Sequence, residues 1–266
     1  MDGDRQQGTS SVKSVLLVMS GKGGVGKSTV SVQLARNLVS AGHRVGLLDI
    51  DLCGPSIPKI LGINGMRITQ AAGSDAWLPC EVDGLKVMSI GFLLGNEDSA
   101  VVWRGPKKQA MISQFVNDVA WGQLDYLVVD TPPGTSDEHM AIVECLKRKA
   151  CKTATVLVST PQNVSLMDVQ RQVAFCKLAG VQVLGLVENM SVFKCPCCNV
   201  ESYPFCGGGG EQLARHCNIP LLGSLPINLK LAQACDDGKA LERSGEDETT
   251  EIFQKIVQQI VPGLMA

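Results

Sequence analysis

Residues 15–29, VLLVMSGKGGVGKST, run from an unbroken apolar stretch through a glycine-rich turn into a helix-forming segment. That passage commits the chain to a strand, a tight turn and a helix in succession. An apolar run without polar alternation needs cover on both faces, and the turn needs backbone conformations that glycine adopts most readily. Gly21, Gly26, Lys27 and Ser28 satisfy G-x-x-x-x-G-K-[ST], the pattern in which backbone N–H groups and a helix N-terminus cradle phosphate. The expected nucleotide-binding segment is the loop itself, Gly21, Lys22, Gly23, Gly24, Val25, Gly26, Lys27 and Ser28. Lys22 is one lysine more than such a loop needs.

Further apolar β-rich runs fall at residues 44–50, 85–92, 124–130, 154–160 and 181–189, and helical patterns at 29–40 and 165–179 are closed by Gly42 and Gly180. Strand–helix alternation predicts an α/β fold, a mainly parallel sheet with helices on both faces. No repeat or linker divides the chain, so one P-loop domain is expected over 14–266, preceded by a flexible segment at 1–13. The polar N-terminus and the short apolar run after it offer neither a signal peptide nor a membrane span. With 24 basic and 26 acidic residues the net charge is −2, which gives no general attraction to nucleic acid or anionic lipid. Eleven cysteines without an export signal fit a reducing compartment better than a disulfide framework.

A P-loop enzyme needs carboxylates at neighbouring strand ends to engage a metal and position water. LLDIDLCGPS supplies Asp49 and Asp51, and LVVDTPPGT supplies Asp130 with a following loop that could reach a γ-phosphate through Gly134. Strand-ending aspartates also serve as ordinary turn caps. The second chemical signal is FKCPCCNVESYPFCGGGGEQLARHC, where Cys195 and Cys198 have C-x-x-C spacing and Cys197 lies between them. One such pair supplies half of a four-cysteine site. Three completions are open: a zinc site closed by Cys206 and Cys217, a redox disulfide, or a symmetric Cys₄ site made by two chains. Cys53, Cys80, Cys145, Cys151, Cys176 and Cys235 read as small apolar fillers, and His139 and His216 have no metal-ligand spacing.

GKGGVGKST, DIDLCGPS, VVWRGPKK, DTPPGTSDEH and ENMS together resemble the deviant Walker-type ATPases, in the Mrp and nucleotide-binding-protein branch, over nearly the whole chain. The resemblance implies that Lys22 reaches across a dimer interface to the nucleotide of the other protomer. It further implies that Lys27 binds the β and γ phosphates of ATP, Ser28 the Mg²⁺ ion and Thr29 the α-phosphate region. Asp51 would orient or activate water, Asp130 would support the metal through its shell, and Asn189 would face the adenine. Arg104 lies in a segment diagnostic of the branch. In similar proteins a C-P-x-C motif binds a labile [4Fe–4S] cluster bridging two protomers and passed to recipient apoproteins, making Cys195 and Cys198 the expected ligands. A dimer implied by Lys22 favours the shared completion.

In the eukaryotic cytosolic scaffold the longer of two kinds of subunit carries an additional N-terminal cysteine motif. This chain has no cysteine before Cys53 and so resembles the shorter kind. It is expected to pair with the longer one in a hetero-oligomer, as a heterotetramer, with a homodimer as the other arrangement. The expected setting is the cytosol, and no signal rules out the nucleus.

Rival functions make different demands. A membrane-positioning ATPase wants a basic amphipathic C-terminal helix. The stripe Ile252, Phe253, Ile256, Val257, Ile260 and Val261 has helical spacing, but its one cation is Lys255 and an acidic run precedes it, so packing on the domain is expected. A DNA-partitioning ATPase wants a basic surface. A zinc-dimerised targeting factor for hydrophobic clients, the main alternative, wants a methionine-rich groove, whereas the methionines here are dispersed. A metal-free nucleotide switch ranks below it.

Overall fold

The structure, a computed structural model, describes residues 11–52, 54–71, 73–93, 105–205, 207–241 and 248–265. Its strands are β1 (Val12–Ser20), β2 (Val45–Asp49), β3 (Thr69–Gln70), β4 (Trp77–Leu78), β5 (Cys80–Val82), β6 (Leu85–Ser89), β7 (Leu124–Asp130), β8 (Lys152–Ser159), β9 (Gln182–Glu188), β10 (Phe193–Lys194), β11 (Glu201–Ser202) and β12 (Leu221–Ser224). The helices are α1 (Lys27–Ser40), α2 (Ile57–Ile60), α3 (Gly105–Asn117), α4 (Asp137–Arg148), α5 (Asn163–Leu178), α6 (Gly209–Cys217), α7 (Leu229–Asp236) and α8 (Glu248–Met265).

Eight strands form one sheet in the order β12-β9-β8-β1-β7-β2-β6-β5. Every pairing is parallel except β5 with β6, an antiparallel hairpin at the edge. The six apolar runs expected as strands are the six inner ones. β1, β2, β7 and β8 are buried almost without interruption, as the missing polar alternation requires. α1 packs on α8, α3 on α4 and α5 on α6. Phe253, Ile256, Val257 and Ile260 of α8 are buried, so the C-terminal stripe packs on the domain.

The differences are local. β1 starts at Val12, so Val12 and Lys13 belong to the sheet rather than to the segment ahead of it. The run at 85–92 leaves the sheet at Ser89, where the Ser89 hydroxyl accepts from Gly91 N–H at 3.0 Å, and Ile90–Leu93 turns into a 3-10 helix. β12, too short and glycine-broken to be legible, completes the parallel edge.

β1 lies between β8 and β7, although β2 follows it in the chain. The strand order therefore reverses beside β1, and the carboxyl ends of strands at such a reversal are the usual ligand position in sheets of this kind. Gly21 to Gly26 begin at that point.

Candidate functional site

Residues 20–26 wrap from the end of β1 into α1, whose first residue is Lys27. Gly26 has φ +83°, which a side chain resists, and a Cβ there would also run into the amide of Asn189. Val25 is buried, while Lys22, Gly23 and Gly24 are exposed. Lys22 makes no ion pair among the described residues. Ser20 donates to its carbonyl at 3.0 Å, which fixes the backbone and leaves the ammonium outside.

Below the loop, the end of β7 brings up Asp130, fully buried. Its Oδ2 accepts from Ser28 at 2.6 Å and its Oδ1 from Ser31 at 2.7 Å, while Lys27 Nζ lies 2.8 Å from Oδ1. Three donors converge on one carboxylate, which fulfils the condition for burying a charge. Ser31, one turn along α1, was invisible as a functional position; its spacing from Lys27 is the only signal that could have found it. Asp51 Oδ2 stands 4.0 Å from Lys27 Nζ, so Lys27, Ser28, Asp51 and Asp130 assemble in one place. Thr29 is half-buried, with the thiol of Cys235 from α7 beside its hydroxyl.

Asp49, the other half of the D-x-D pair, has a different place. It is fully buried and accepts from Asp51 N–H at 3.0 Å and from the Ser89 hydroxyl at 2.9 Å. Burial, then the neighbouring Asp130 carboxylate, pushes its pKa up to about 8 against the opposing pull of Lys27. Asp49 shapes the turn that presents Asp51. Gly134 N–H donates to Ser20 O at 2.8 Å, tying the loop after Asp130 to the end of β1. His139 caps the same loop, its Nδ1 accepting from Ser136 N–H at 3.1 Å. Burial holds its pKa down at about 4, so a neutral imidazole anchors the loop at neutral pH. Only the three-residue spacing from Ser136 could have pointed to this cap, and His139 stands in the place a Glu or Gln usually takes.

Asn189, at the end of β9, donates through Nδ2 to Val25 O at 2.9 Å. In a trans peptide the carbonyl and the next N–H point in opposite directions, so this bond turns the Gly26 N–H away from Asn189.

The chain then forms a small hairpin, β10 paired with β11. Cys195 N–H donates to Val200 O at 3.0 Å and Asn199 N–H to Cys195 O at 2.9 Å. The N–H groups of Cys197 and Cys198 point at the Cys195 sulfur, with the Cys198 thiol beside it, and together they hold the Cys195 thiol below its usual value. Hydrogen-bonded thiolates in a short turn are what iron–sulfur and zinc sites use. Cys197 and Cys198 are exposed, and Cys195 is half-exposed. Among the described residues no group of three or more possible ligands gathers on one chain. Cys217 lies half-buried at the far end of α6. Cys206, Cys53 and Arg104 fall outside the described residues.

A family model described as ParA, "NUBPL iron-transfer P-loop NTPase", matches residues 11–261. The chain is 51% identical over 261 residues to the bovine protein named cytosolic Fe-S cluster assembly factor NUBP2, covering 95% of each. It is 50% identical over 258 residues to the chicken protein of the same name, covering 96% of this chain and 94% of that one. Among solved structures it resembles a nucleotide-binding protein from Archaeoglobus fulgidus in complex with ADP, with a TM-score of 0.77, 36% identity, and 92% and 93% of the two chains covered. The cell-division ATPase MinD of Pyrococcus furiosus, 22% identical with a TM-score of 0.68 over 93% and 98% of the chains, shares the fold.

Proposed function

This chain belongs to the ParA family of P-loop NTPases, in its iron-transfer group, and from that premise we propose that it is an ATP-hydrolysing scaffold for iron–sulfur cluster assembly in the cytosol. It assembles a labile [4Fe–4S] cluster on Cys195 and Cys198 at a subunit interface and delivers it to apoproteins. The observation that carries the reading is the cysteine turn itself: two adjacent thiols on a hairpin, one of them eased toward thiolate by backbone N–H groups. Two thiolates leave the other half of a Cys₄ set to a second subunit, proposed to be a longer scaffold chain with its own N-terminal cysteine motif, in a heterotetramer. Val200 and Tyr203, 61% and 57% exposed on the same hairpin, are apolar surface suited to burial in that interface.

At the other site the donors fit Mg-ATP. The loop N–H groups and Lys27 hold the β and γ phosphates, Thr29 the α-phosphate region, and Asn189 keeps the loop in shape beside the base. The Ser28 hydroxyl, which Asp130 orients, would hold Mg²⁺, whose chemistry is to neutralise charge developing on the phosphates. Asp51, set by Asp49 and close to Lys27, positions the attacking water for slow hydrolysis. Lys22, exposed on the rim, reaches the nucleotide of the partner subunit. Relatives named for iron–sulfur assembly support this reading over the targeting-factor alternative.

The test is anaerobic reconstitution with ferrous iron and sulfide, comparing wild type with Cys195→Ser, Cys198→Ser. Iron and acid-labile sulfide retained by the wild type and lost in the variant support the scaffold. Stoichiometric zinc with no sulfide uptake would overturn it.

A further inference from the structure

Glu188 and Asn189 are consecutive, and neighbouring residues on extended backbone project to opposite sides. Asn189 reaches the nucleotide loop, donating to Val25 O at 2.9 Å. Glu188 reaches the other way. It is 5% exposed, and its Oε1 accepts from Gly210 N–H at 2.8 Å, in the first turn of α6. Its Oε2 accepts from the Ser224 hydroxyl at 2.9 Å. A carboxylate at a helix N-terminus is held by the orphan N–H groups and the helix dipole together. Position 210 must be glycine for this contact, because a Cβ there would lie 2.6 Å from the Glu188 carboxylate oxygen.

The two ends of the cysteine loop are therefore fastened at one place. Its entry, residues 189–192, leaves from Asn189, and its exit, residues 208–210, returns to Glu188. The entry strand is stiff. Ser191 donates through both N–H and Oγ to Leu225 O at 2.9 Å, Leu225 N–H donates to Glu188 O at 2.7 Å, and Ile227 N–H to Val192 O at 2.8 Å. Met190 holds φ +57°, a conformation uncommon for a side-chain-bearing residue that persists where its surroundings impose it.

We propose that Glu188 and Asn189 form a joint through which nucleotide in the P-loop sets the position and reactivity of the Cys195–Cys198 turn. Asn189 senses the loop through Val25 O, and Glu188, a positioning residue, carries the displacement to α6 and the root of the turn. The inference rests on the nucleotide and cysteine sites of the proposed function and adds how one governs the other. By linkage the effect is reciprocal: metal on the cysteines alters nucleotide affinity by the factor with which nucleotide alters metal affinity.

The experiment measures iodoacetamide alkylation of Cys195 and Cys198 in metal-free, full-length protein, peptide by peptide in a mass spectrometer, with and without Mg-ATP. In wild type, nucleotide should change the rate by about fivefold or more, the lower end of coupling between sites. Glu188→Gln should keep its nucleotide affinity and its nucleotide-free alkylation rate but lose that change. A purely structural Glu188 would instead alter the nucleotide-free rate and leave the ratio intact. Full retention of the nucleotide effect in Glu188→Gln, or no effect in wild type, overturns the joint. Should Glu188→Gln not fold, Ser224→Ala removes one anchor and keeps the charge; a reduced nucleotide effect supports the joint and an undiminished one overturns it. Thiol chemistry in metal-free protein needs no cluster, so failure here leaves the scaffold reading standing, and failure to bind iron leaves this one standing.

Discussion

The nucleotide loop, at the end of β1, touches Asn189, from which the chain runs on to the cysteine turn, yet the two sites are built on opposite principles. Around the P-loop, charge is buried and over-connected: Asp130 is sealed from solvent under Lys27, Ser28 and Ser31. At the cysteine turn Cys197 and Cys198 are exposed and Cys195 half-exposed, its sulfur held by N–H groups of the same turn. The lesson is physical. A site that must discriminate charge states on phosphate needs fixed donors in a low dielectric. A site that must receive and give up a cluster needs ligands that another protein can reach.

The contrast predicts unequal costs for mutation. The largest effect should come from Lys27→Ala, which removes the proposed phosphate ligand and strands the buried Asp130 carboxylate. Breaking such a pair costs about 3–5 kcal/mol of stability, so calorimetry should find no nucleotide binding and thermal unfolding should move down sharply. A Lys27→Ala protein that binds ATP normally would break the account of that pocket. Asp51→Ala should still bind ATP, because Asp51 is only the outer contact of Lys27, but should hydrolyse it slower by about 100-fold or more, the scale of a lost general base. A single-turnover rate equal to wild type would remove Asp51 from its role.

A pH experiment sharpens the buried side of the comparison. Asp49 binds its proton more tightly in the fold than the ordinary value of about 3.9, having been pushed up to about 8. Its protonated form therefore favours the fold below the ordinary value, and that contribution fades as pH rises through about 8. Asp49→Asn, which cannot ionise, should lose less stability than wild type between about pH 5 and about pH 9, visible as a few degrees in melting temperature. Parallel pH curves for the two proteins would contradict the assignment.

The smallest effect belongs to the exposed turn. Cys195→Ser with Cys198→Ser should shift stability by no more than about 0.5 kcal/mol, as surface substitutions do, and a large drop in melting temperature would mean the thiols are structural.

How much of this was readable beforehand follows the same divide. The parallel core was legible because β1, β2, β7 and β8 lack polar alternation, and the P-loop because its glycines and lysine have fixed spacing. The hydrogen-bond partners were not. Ser31, Ser89 and Glu188 are ordinary residues whose roles exist only once strand order brings Asp130, Asp49 and Gly210 to them, since no local pattern encodes a contact between residues far apart in sequence. The edge strands β5 and β12 were missed for a related reason, being too short to show a period. The cysteine pair was conspicuous, but C-x-x-C spacing by itself leaves zinc, disulfide and shared-site completions open.

The most direct measurement crosses the two sites on the same samples: iron and sulfide content after anaerobic reconstitution, and calorimetric ADP binding, for wild type, Lys27→Ala and the Cys195→Ser, Cys198→Ser variant. Two separate sites predict that wild type takes up both, that Lys27→Ala keeps the cluster and loses nucleotide, and that the cysteine variant keeps nucleotide and loses the cluster. A cysteine variant that binds as much iron and sulfide as wild type, or one that fails to bind ADP while remaining folded, would contradict the account.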